Sequence, residues 1–444
     1  MKRIWTLAIM IVLVAATISA CGGNNKGNNG NSTPSSQAAS SEAPVVTETA
    51  SATASEAGAG TDISGKIVFA TNRTDLIDTK FKEYAEAFRA KYPNAEVEFE
   101  ALKDYESAIK LRMATAEMPD VILIPNMPNA QLPDYFAELD DLGLNDVIRF
   151  KDYKSLNGKV YGLVSGGSTT GIVYNKKAFE KAGITAVPKT LDEFYAASEK
   201  LKTAGIVPMA TNYKDKWPLY GWQHVAIAMS GNPEFWNDRL KQEKAFEPEG
   251  AWAKSLSILK TIIDKGYAEK DINSTNWEQS KKDVASGRMA MYLLPNWVIP
   301  QVIENGAASE DVGFFPFPYD NSGTLTTLLT PDYFYAVSKN SKNLATAKAF
   351  VKWLIEESGH DDFSGFIPSI KTKQSTVKQL SDFLATPGLN FVEIAPDNSD
   401  AMEIQNKGQI DFNDMAQEIA VSDIAGVFDK YNKKWDEAKK ALGK

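Results

Sequence analysis

A single cysteine, Cys21, limits how this 444-residue chain can be stabilised, because one thiol cannot form an internal disulfide. The cysteine closely follows an apolar run at residues 4–18, which is preceded by Lys2 and Arg3. A short cationic segment, an apolar run too short to span a bilayer and a small-residue cleavage site are typical of a secretory signal peptide. An exported chain without disulfides must depend on an ordinary hydrophobic core, and this chain is long enough for about two or three domains.

The residues around Cys21 resemble the bacterial lipobox, in which the cysteine thiol accepts a diacylglyceryl group and becomes the new N-terminus. We therefore predict that residues 1–20 are a signal peptide and that Cys21 is lipidated, which would place the protein on the extracytoplasmic face of the cell membrane. An ordinary signal peptide followed by a stray cysteine is the alternative. Residues 22–60 contain almost no large apolar side chains, and such segments do not fold. We expect residues 21–60 to be the lipidated cysteine and a disordered linker, with folded structure from near Ile63.

Strands and helices alternate in the pattern of the remaining sequence. Apolar runs predict strands, and apolar residues at helical spacing predict helices, in the order strand 67–70, helix 81–88, strand 97–99, helix 109–113 and strand 121–124. This order is typical of a parallel sheet with helices on its faces. A second α/β unit begins after residue 170. Two such units predict two lobes with a cleft, and ligands of open α/β sheets bind at the carboxyl ends of strands.

Two short motifs predict local structure. Asn157 and Gly158 form the dipeptide that favours a tight hairpin turn. Thr190 and Glu193 have the spacing of a helix capping box, in which a hydroxyl and a carboxylate satisfy the first free amides of a helix.

The composition excludes several classes of function. A formal net charge of −9 without a basic block argues against nucleic acid as a partner. The only histidines, His224 and His360, lie in different segments, so we predict no metal site, no cofactor and no catalytic triad, and a structural role for His224. The glycine-rich segment 166–171 lacks the lysine and hydroxyl residue of a phosphate-binding loop. We therefore predict a protein that is not an enzyme; an exported glycosidase is the alternative.

Aromatic residues are dense in the middle of the chain, and some of them lie where a ligand could reach them. Rings in loops at strand and helix ends often lie outside the core, and a sugar needs flat aromatic surface with polar side chains at its rim. Candidate ligand contacts are Trp217, Trp222 and Trp297. Structural roles are expected for Trp252, Trp353 and Trp435, and favoured for Trp236 and Trp277, which the sequence leaves undecided.

Several segments of the chain resemble the extracellular solute-binding proteins of sugar ABC transporters, the group that includes the maltose-binding protein. The segment GIVYNKKAFEKAG at 171–183 is the most recognisable, and 188–194, 118–121 and 287–291 are similar to other family segments. The resemblance extends from about residue 65 to the C-terminus. It implies a type II periplasmic-binding-protein-like α/β fold, in which two lobes, each a β-sheet flanked by helices, are joined by hinge strands. It also implies a carbohydrate ligand, ABC transporter permease subunits as partners, and a monomer.

The resemblance also implies lobe boundaries and ligand contacts. The first lobe would hold residues 61–168 and 332–368, and the second lobe 169–331 and 369–444, with chain crossings near 165–170, 330–332 and 366–370. Family ligand contacts correspond by position to Asn72, Arg73, Thr74, Asp75, Asn126, Trp217, Trp222 and Trp297. Asp332, at a predicted chain crossing, is a further predicted ligand contact. Asn296 stands where the family often has glycine.

The function that these observations favour is capture of a sugar or oligosaccharide by closure of the two lobes, followed by delivery to a membrane permease. A non-sugar solute such as a peptide or polyamine is an alternative within binding proteins. A sensor that presents the bound sugar to a receptor kinase is a third alternative that the sequence leaves open.

Overall fold

The computed structural model describes residues 63–115, 117–274 and 276–444. The predicted signal peptide at 1–20, the predicted lipidation of Cys21 and the predicted linker up to residue 60 lie outside the described residues. In the described part of the chain, no helix has both the length and the apolar character that crossing a bilayer requires.

The described residues alternate between strands and helices, as the sequence predicts. The strands are β1 Gly65–Thr71, β2 Ala95–Ala101, β3 Val121–Leu123, β4 Ser155–Leu156, β5 Lys159–Val160, β6 Leu163–Val164, β7 Gly167–Asn175, β8 Val207–Ala210, β9 Met289–Pro295, β10 Val312–Phe315, β11 Thr326–Pro331, β12 Phe334–Val337 and β13 Asn390–Glu393. The α-helices are α1 Lys80–Lys91, α2 Tyr105–Met113, α3 Leu132–Tyr135, α4 Lys176–Lys181, α5 Leu191–Thr203, α6 Gly221–Ser230, α7 Ala251–Asp264, α8 Trp277–Ala285, α9 Val298–Glu304, α10 Leu344–Glu356, α11 His360–Phe363, α12 Lys378–Leu384, α13 Ser399–Lys407, α14 Phe412–Val421 and α15 Ile424–Ala441.

The first sheet has the strand order β2-β1-β3-β12-β6. Strand β1 runs parallel to β2 and β3, whereas β12 is antiparallel to β3 and β6. Helices α1 and α10 cover this sheet with aromatic side chains; Phe81 stacks on Phe99 at 4.5 Å between ring centroids, and Phe350 lies 6.0 Å from Phe69. All three residues of β3 are buried, which explains why this strand is apolar at every position. We call this sheet and its helices the first lobe.

The second sheet has the order β13-β11-β7-β9-β8, and β10 also pairs with β7. Strand β7 pairs with β11 near its beginning and with β10 near its end, and β9 runs antiparallel along its other side. Every residue of β9 is buried, because helices pack on both faces of this sheet. We call this sheet and its helices the second lobe.

Both short motifs form the local structures that the sequence predicts. Asn157 and Gly158 have positive φ angles of 52° and 78°, and they join β4 to β5 in a hairpin. The Thr190 hydroxyl accepts the Glu193 amide at 3.2 Å at the start of α5, as predicted, whereas the Glu193 carboxylate accepts the amide of Lys189, one residue before the N-cap, at 2.7 Å.

Three chain segments pass between the two sheets and lie side by side. The Ser165 amide, between β6 and β7, donates to the Tyr333 carbonyl at 2.8 Å, which joins the first passage to the second. Gly167 and Ile367 exchange two backbone hydrogen bonds of 2.7 and 2.8 Å, which joins the first passage to the third. The lobes are therefore connected by a narrow, hydrogen-bonded strip of backbone.

Candidate ligand-binding cleft

Three tryptophans of the second lobe meet at one end of the cleft between the lobes. The ring centroids of Trp217, Trp277 and Trp297 lie 5.0 to 6.0 Å apart, and Tyr220 lies 6.3 Å from Trp217. Trp217 keeps 37% of its surface exposed although it is a large apolar residue. We call Trp217, Trp277 and Trp297 the tryptophan cluster; it offers solvent-accessible ring surface of the kind that packs against sugar C–H groups.

Buried polar groups hold the backbone beneath the tryptophan cluster. The Glu269 carboxylate accepts the amides of Thr211 and Asn212 and the Thr211 hydroxyl, each at 2.9 Å. Burial raises the pKa of Glu269, and these hydrogen bonds oppose the rise. In the loop that follows, the Asp215 carboxylate accepts the Trp277 amide at 2.6 Å. The loop that carries Trp217 and the first turn of α8 are thereby fixed to each other.

Trp222 does not join the tryptophan cluster. It is 2% exposed and packs edge-to-face on Phe317 at 5.7 Å in the core of the second lobe. Helix α6 turns about 100° per residue, so Trp222 points to the same buried face as Val225 and Ala226. The interpretation of Trp222 as a ligand contact is thus corrected: the structure assigns it to packing. Trp277, for which the sequence favours packing without deciding it, is half-buried against the core of the second lobe while its ring also contacts Trp217 and Trp297.

Asp332 lies at the back of the cleft, where the second passage leaves β11. Its amide donates to the Gly166 carbonyl at 2.9 Å, and the Ser165 hydroxyl donates to its carboxylate at 3.3 Å. Burial raises the pKa of Asp332, and the positive charge of Arg73 in the first lobe acts in the opposite direction. Burial also raises the pKa of Tyr220 in the second lobe, and the charge of Asp332 adds to that rise. Asp332 therefore lies between groups of both lobes.

The loop after β1 brings charged groups of the first lobe to the same end of the cleft. The Arg73 guanidinium binds the Asp75 carboxylate through two hydrogen bonds of 2.9 and 2.7 Å. Burial acts to raise the pKa of Asp75. The hydrogen bonds and charge of Arg73 lower it by more, and the charge of Lys281 in α8 adds a weaker lowering, so the pKa of Asp75 is lowered overall. Burial raises the pKa of Glu304 at the end of α9, and that carboxyl also responds to Arg73 and Asp75. Because Asp75 is affected by the charge of Lys281, and Glu304 by the charges of Arg73 and Asp75, the loop after β1 lies opposite α8 and α9.

Asn72 and Asn126 occupy different parts of the cleft. Burial raises the pKa of Tyr333, and a hydrogen bond with Asn72 opposes that rise, so Asn72 lies beside Tyr333 at the second passage. Asn126 lies elsewhere: it lines a cavity of about 210 Å³ whose other walls include Trp236 and Arg239 of the second lobe. The cleft therefore has two regions, and the predicted residues in the first are Asn72, Arg73, Asp75, Trp217, Trp297 and Asp332.

Both histidines are half-buried, and their surroundings lower the pKa of each. His224 pairs through Nδ1 with the Thr170 hydroxyl at 2.6 Å, and burial lowers its pKa to about 4. Burial lowers the pKa of His360 to about 3, and the charges of Arg73 and Lys80 contribute. Among residues 63–115, 117–274 and 276–444, His, Cys, Asp and Glu side chains form no group of three or more that could hold a metal ion.

Comparison with known proteins gives a consistent result. The sequence model of the bacterial extracellular solute-binding protein family matches residues 73–361. The chain is 25% identical over 294 residues to the multiple sugar-binding protein of Streptococcus mutans, covering 64% of this chain and 69% of that protein. It is 27% identical over 323 residues to the diacetylchitobiose binding protein DasA of Streptomyces coelicolor, covering 67% of this chain and 71% of that protein.

A solved structure shows the same architecture. BlMnBP1, an ABC transporter binding protein of Bifidobacterium animalis subsp. lactis in complex with mannobiose, superposes with a TM-score of 0.74 at 28% identity, covering 86% of this chain and 96% of that one. The predicted two-lobe type II fold is confirmed. The chain belongs to the bacterial extracellular solute-binding protein family.

Proposed function

We propose that this chain is the lipid-anchored binding protein of an ABC transporter, and that it captures a sugar or oligosaccharide in the cleft between its lobes. The observation that carries the proposal is the tryptophan cluster, which lies beside Lys281, a residue whose charge acts on Asp75 of the other lobe. The names of the relatives, which describe sugar-binding proteins, support the same ligand class.

The chemistry of the cleft suits a polyhydroxylated ring. The apolar C–H face of a pyranose would stack on Trp217 or Trp297, while Asn72 and the Arg73–Asp75 pair would exchange hydrogen bonds with its hydroxyl rim. Because Arg73 and Asp75 already hold each other in a bidentate pair, less side-chain freedom is lost on binding than for two free side chains. Binding in the micromolar range corresponds to about 8 kcal/mol in total.

Capture would proceed by closure of the lobes about the three backbone passages. We place the first lobe at residues 61–168 and 332–368, and the second at 169–331 and 369–444. A ligand that touches Arg73 on one side and Trp297 on the other binds both lobes only when they are closed, and thus stabilises the closed form by its differential affinity. The closed monomer would then deliver the unaltered sugar to the permease.

The lipid anchor on Cys21 would keep the domain at the extracytoplasmic face of the membrane, where the permease accepts its ligand. Replacement of Cys21 by serine removes the thiol that takes the diacylglyceryl group. We expect the C21S variant to lose incorporation of labelled fatty acid and to leave the membrane fraction, whereas the parent chain keeps both. Equal membrane retention of the two chains would contradict lipidation.

Sugar binding is tested by isothermal titration calorimetry with manno-, chito- and malto-oligosaccharides, and with spermidine and a tripeptide as non-sugar solutes. We expect one sugar series to bind and Trp297→Ala to weaken its binding at least tenfold, because about 1.4 kcal/mol of ring contact is removed. Leu111→Ala is the control, since Leu111 is 69% exposed on α2 of the first lobe. Binding of spermidine or the peptide without any sugar would overturn the proposal, as would an unchanged affinity in W297A.

A further inference from the structure

Two adjoining cavities of about 210 and 160 Å³ are lined by residues of both lobes. Asp397 and Met402 line both cavities, so the two are neighbours. Thr330 and Pro331 line the smaller cavity, and Asp332 at the back of the cleft is the next residue of the chain. The cavities therefore lie beside the region that holds the tryptophan cluster.

Groups of both lobes form the walls of these cavities. Asn126 and Lys154 of the first lobe line the larger and the smaller cavity, respectively. Next to Lys154, the Tyr153 hydroxyl donates to the carbonyl of Ile394, which follows β13 of the second lobe. A molecule in these cavities would therefore contact both lobes, as a molecule at the tryptophan cluster would.

A buried cation with unused donors lines the larger cavity. Arg239 is 4% exposed, and its guanidinium lies 5.1, 4.8 and 4.8 Å from the ring centroids of Trp236, Phe412 and Trp435. Its Nε donates to the Trp236 carbonyl at 2.8 Å, while its buried Nη1 has no hydrogen-bond partner among the described residues. A guanidinium has five N–H donors, and leaving buried donors unpaired costs free energy. The rings thus hold Arg239 in place at the cavity wall, with one donor that no described residue satisfies.

The other polar groups of the cavities indicate a ligand without net charge. Partial desolvation at the cavity wall raises the pKa of Asp397, and the nearby charges of Lys154 and Arg239 oppose that rise, so Arg239 already has a counter-charge. Five amide side chains complete the polar lining of the larger cavity: Asn126, Gln223, Asn237, Asn398 and Gln405. An amide offers both a donor and an acceptor, as a hydroxyl does, although Gln223, Asn237 and Asn398 each already use a side-chain atom in a hydrogen bond within the second lobe. This lining matches a neutral molecule rich in hydroxyl groups.

We propose that these cavities bind a further sugar unit of the transported oligosaccharide, and that Arg239 and Asp397 hydrogen-bond its hydroxyls. The ligand is then an oligosaccharide of at least two neutral units, with one unit at the tryptophan cluster and another at Arg239 and Asp397. This inference rests on the proposed sugar-binding function and adds the length and charge of the ligand.

The test is the dependence of affinity on chain length, measured by calorimetry on the full chain with manno-, chito- and malto-oligosaccharides of one to four units. Asp397→Asn and Asn126→Ala change exposed side chains, so both variants should fold as the parent does. We expect each to weaken binding of the longest bound oligosaccharide at least tenfold and that of the shortest less than twofold. Trp297→Ala, at the other region, should weaken every length.

Three outcomes would overturn the inference. One is an equal loss at all lengths in D397N and N126A, and another is no loss at any length. A third is tighter binding of a uronate-terminated oligosaccharide than of its neutral counterpart, which would assign the Arg239 region to an anion. Failure of the parent chain to bind any sugar would instead refute the proposed function itself, and that result is visible before any variant is made.

Discussion

Asn296 offers a sharp test of how the backbone passages between the lobes are held together. The residue is fully buried directly after β9. Its Oδ1 accepts the Thr169 amide at 2.6 Å and its Nδ2 donates to the Gly365 carbonyl at 2.6 Å. Its own amide donates to the Thr169 carbonyl at 3.0 Å. One side chain thus joins the first and third passages, at a position where the family resemblance leads one to expect glycine.

Replacement of Asn296 by alanine removes both side-chain hydrogen bonds and leaves two buried backbone groups without partners. An unsatisfied buried donor or acceptor costs about 1–3 kcal/mol, so the free energy of unfolding should fall by about 2–5 kcal/mol. Equilibrium urea unfolding measures this quantity. Asn296→Asp keeps the acceptor for Thr169 but places an oxygen against the Gly365 carbonyl, so we expect no rescue at neutral pH.

The matched control is Asn305→Ala at the end of α9. There the side-chain amide of Asn305 donates to the Gln301 carbonyl at 2.8 Å in a partly exposed position. Water can replace that bond, so the loss should stay below about 1 kcal/mol. The argument that Asn296 satisfies buried groups of two passages would be refuted if N296A lowered the free energy of unfolding by less than about 1 kcal/mol, with the same slope against urea concentration as the parent.

Three further substitutions test local features of the fold. Gly171→Ala should cost about 1–3 kcal/mol in urea unfolding, because a Cβ would lie 2.8 Å from the Phe315 carbonyl oxygen; an unchanged stability would show that β7 and β10 can separate freely. Thr190→Ala should cost about 1 kcal/mol through loss of the α5 cap, and Thr190→Ser should restore most of it, which thermal unfolding can check. Burial lowers the pKa of His360 to about 3, so the unfolded chain binds its proton more readily and the parent loses stability as pH falls through about 6.5. Between pH 7.5 and 4.5 the parent should lose about 2–3 kcal/mol relative to His360→Gln, and parallel pH profiles in urea unfolding would contradict this.

The sequence predicts much of the fold because its signals are local. Apolar runs and helical spacings mark β1 to β3 with α1 and α2 in the order that the structure has. The hairpin at Asn157 and the cap at Thr190 depend on residues within a few positions of each other, so neighbouring residues suffice to predict them.

The site is predicted less completely, because its members come from segments far apart in the chain. Trp217 and Trp297 stand in recognisable loops, and the structure brings their rings within 6.0 Å of each other. Trp277 begins a helix and has no sequence signal that separates it from core tryptophans such as Trp252. The N-cap Asn276, whose side chain accepts the Gln279 amide, could have shown that Trp277 starts its helix at an exposed end.

By itself the sequence determined the order of the strands and helices, the two-lobe class through its family resemblance, and the aromatic character of the proposed binding region. Tertiary structure alone decided which rings meet in the tryptophan cluster. The rotation of α6 turns Trp222 into the core, and contact with Trp217 places Trp277 in the cluster. Tertiary structure also decided that Arg239 and Asp397, 158 positions apart in the chain, line one cavity with Asn126. The reason is physical, since periodicity reports which face of an element is apolar, whereas a binding site depends on which distant surfaces the packing of the lobes brings together.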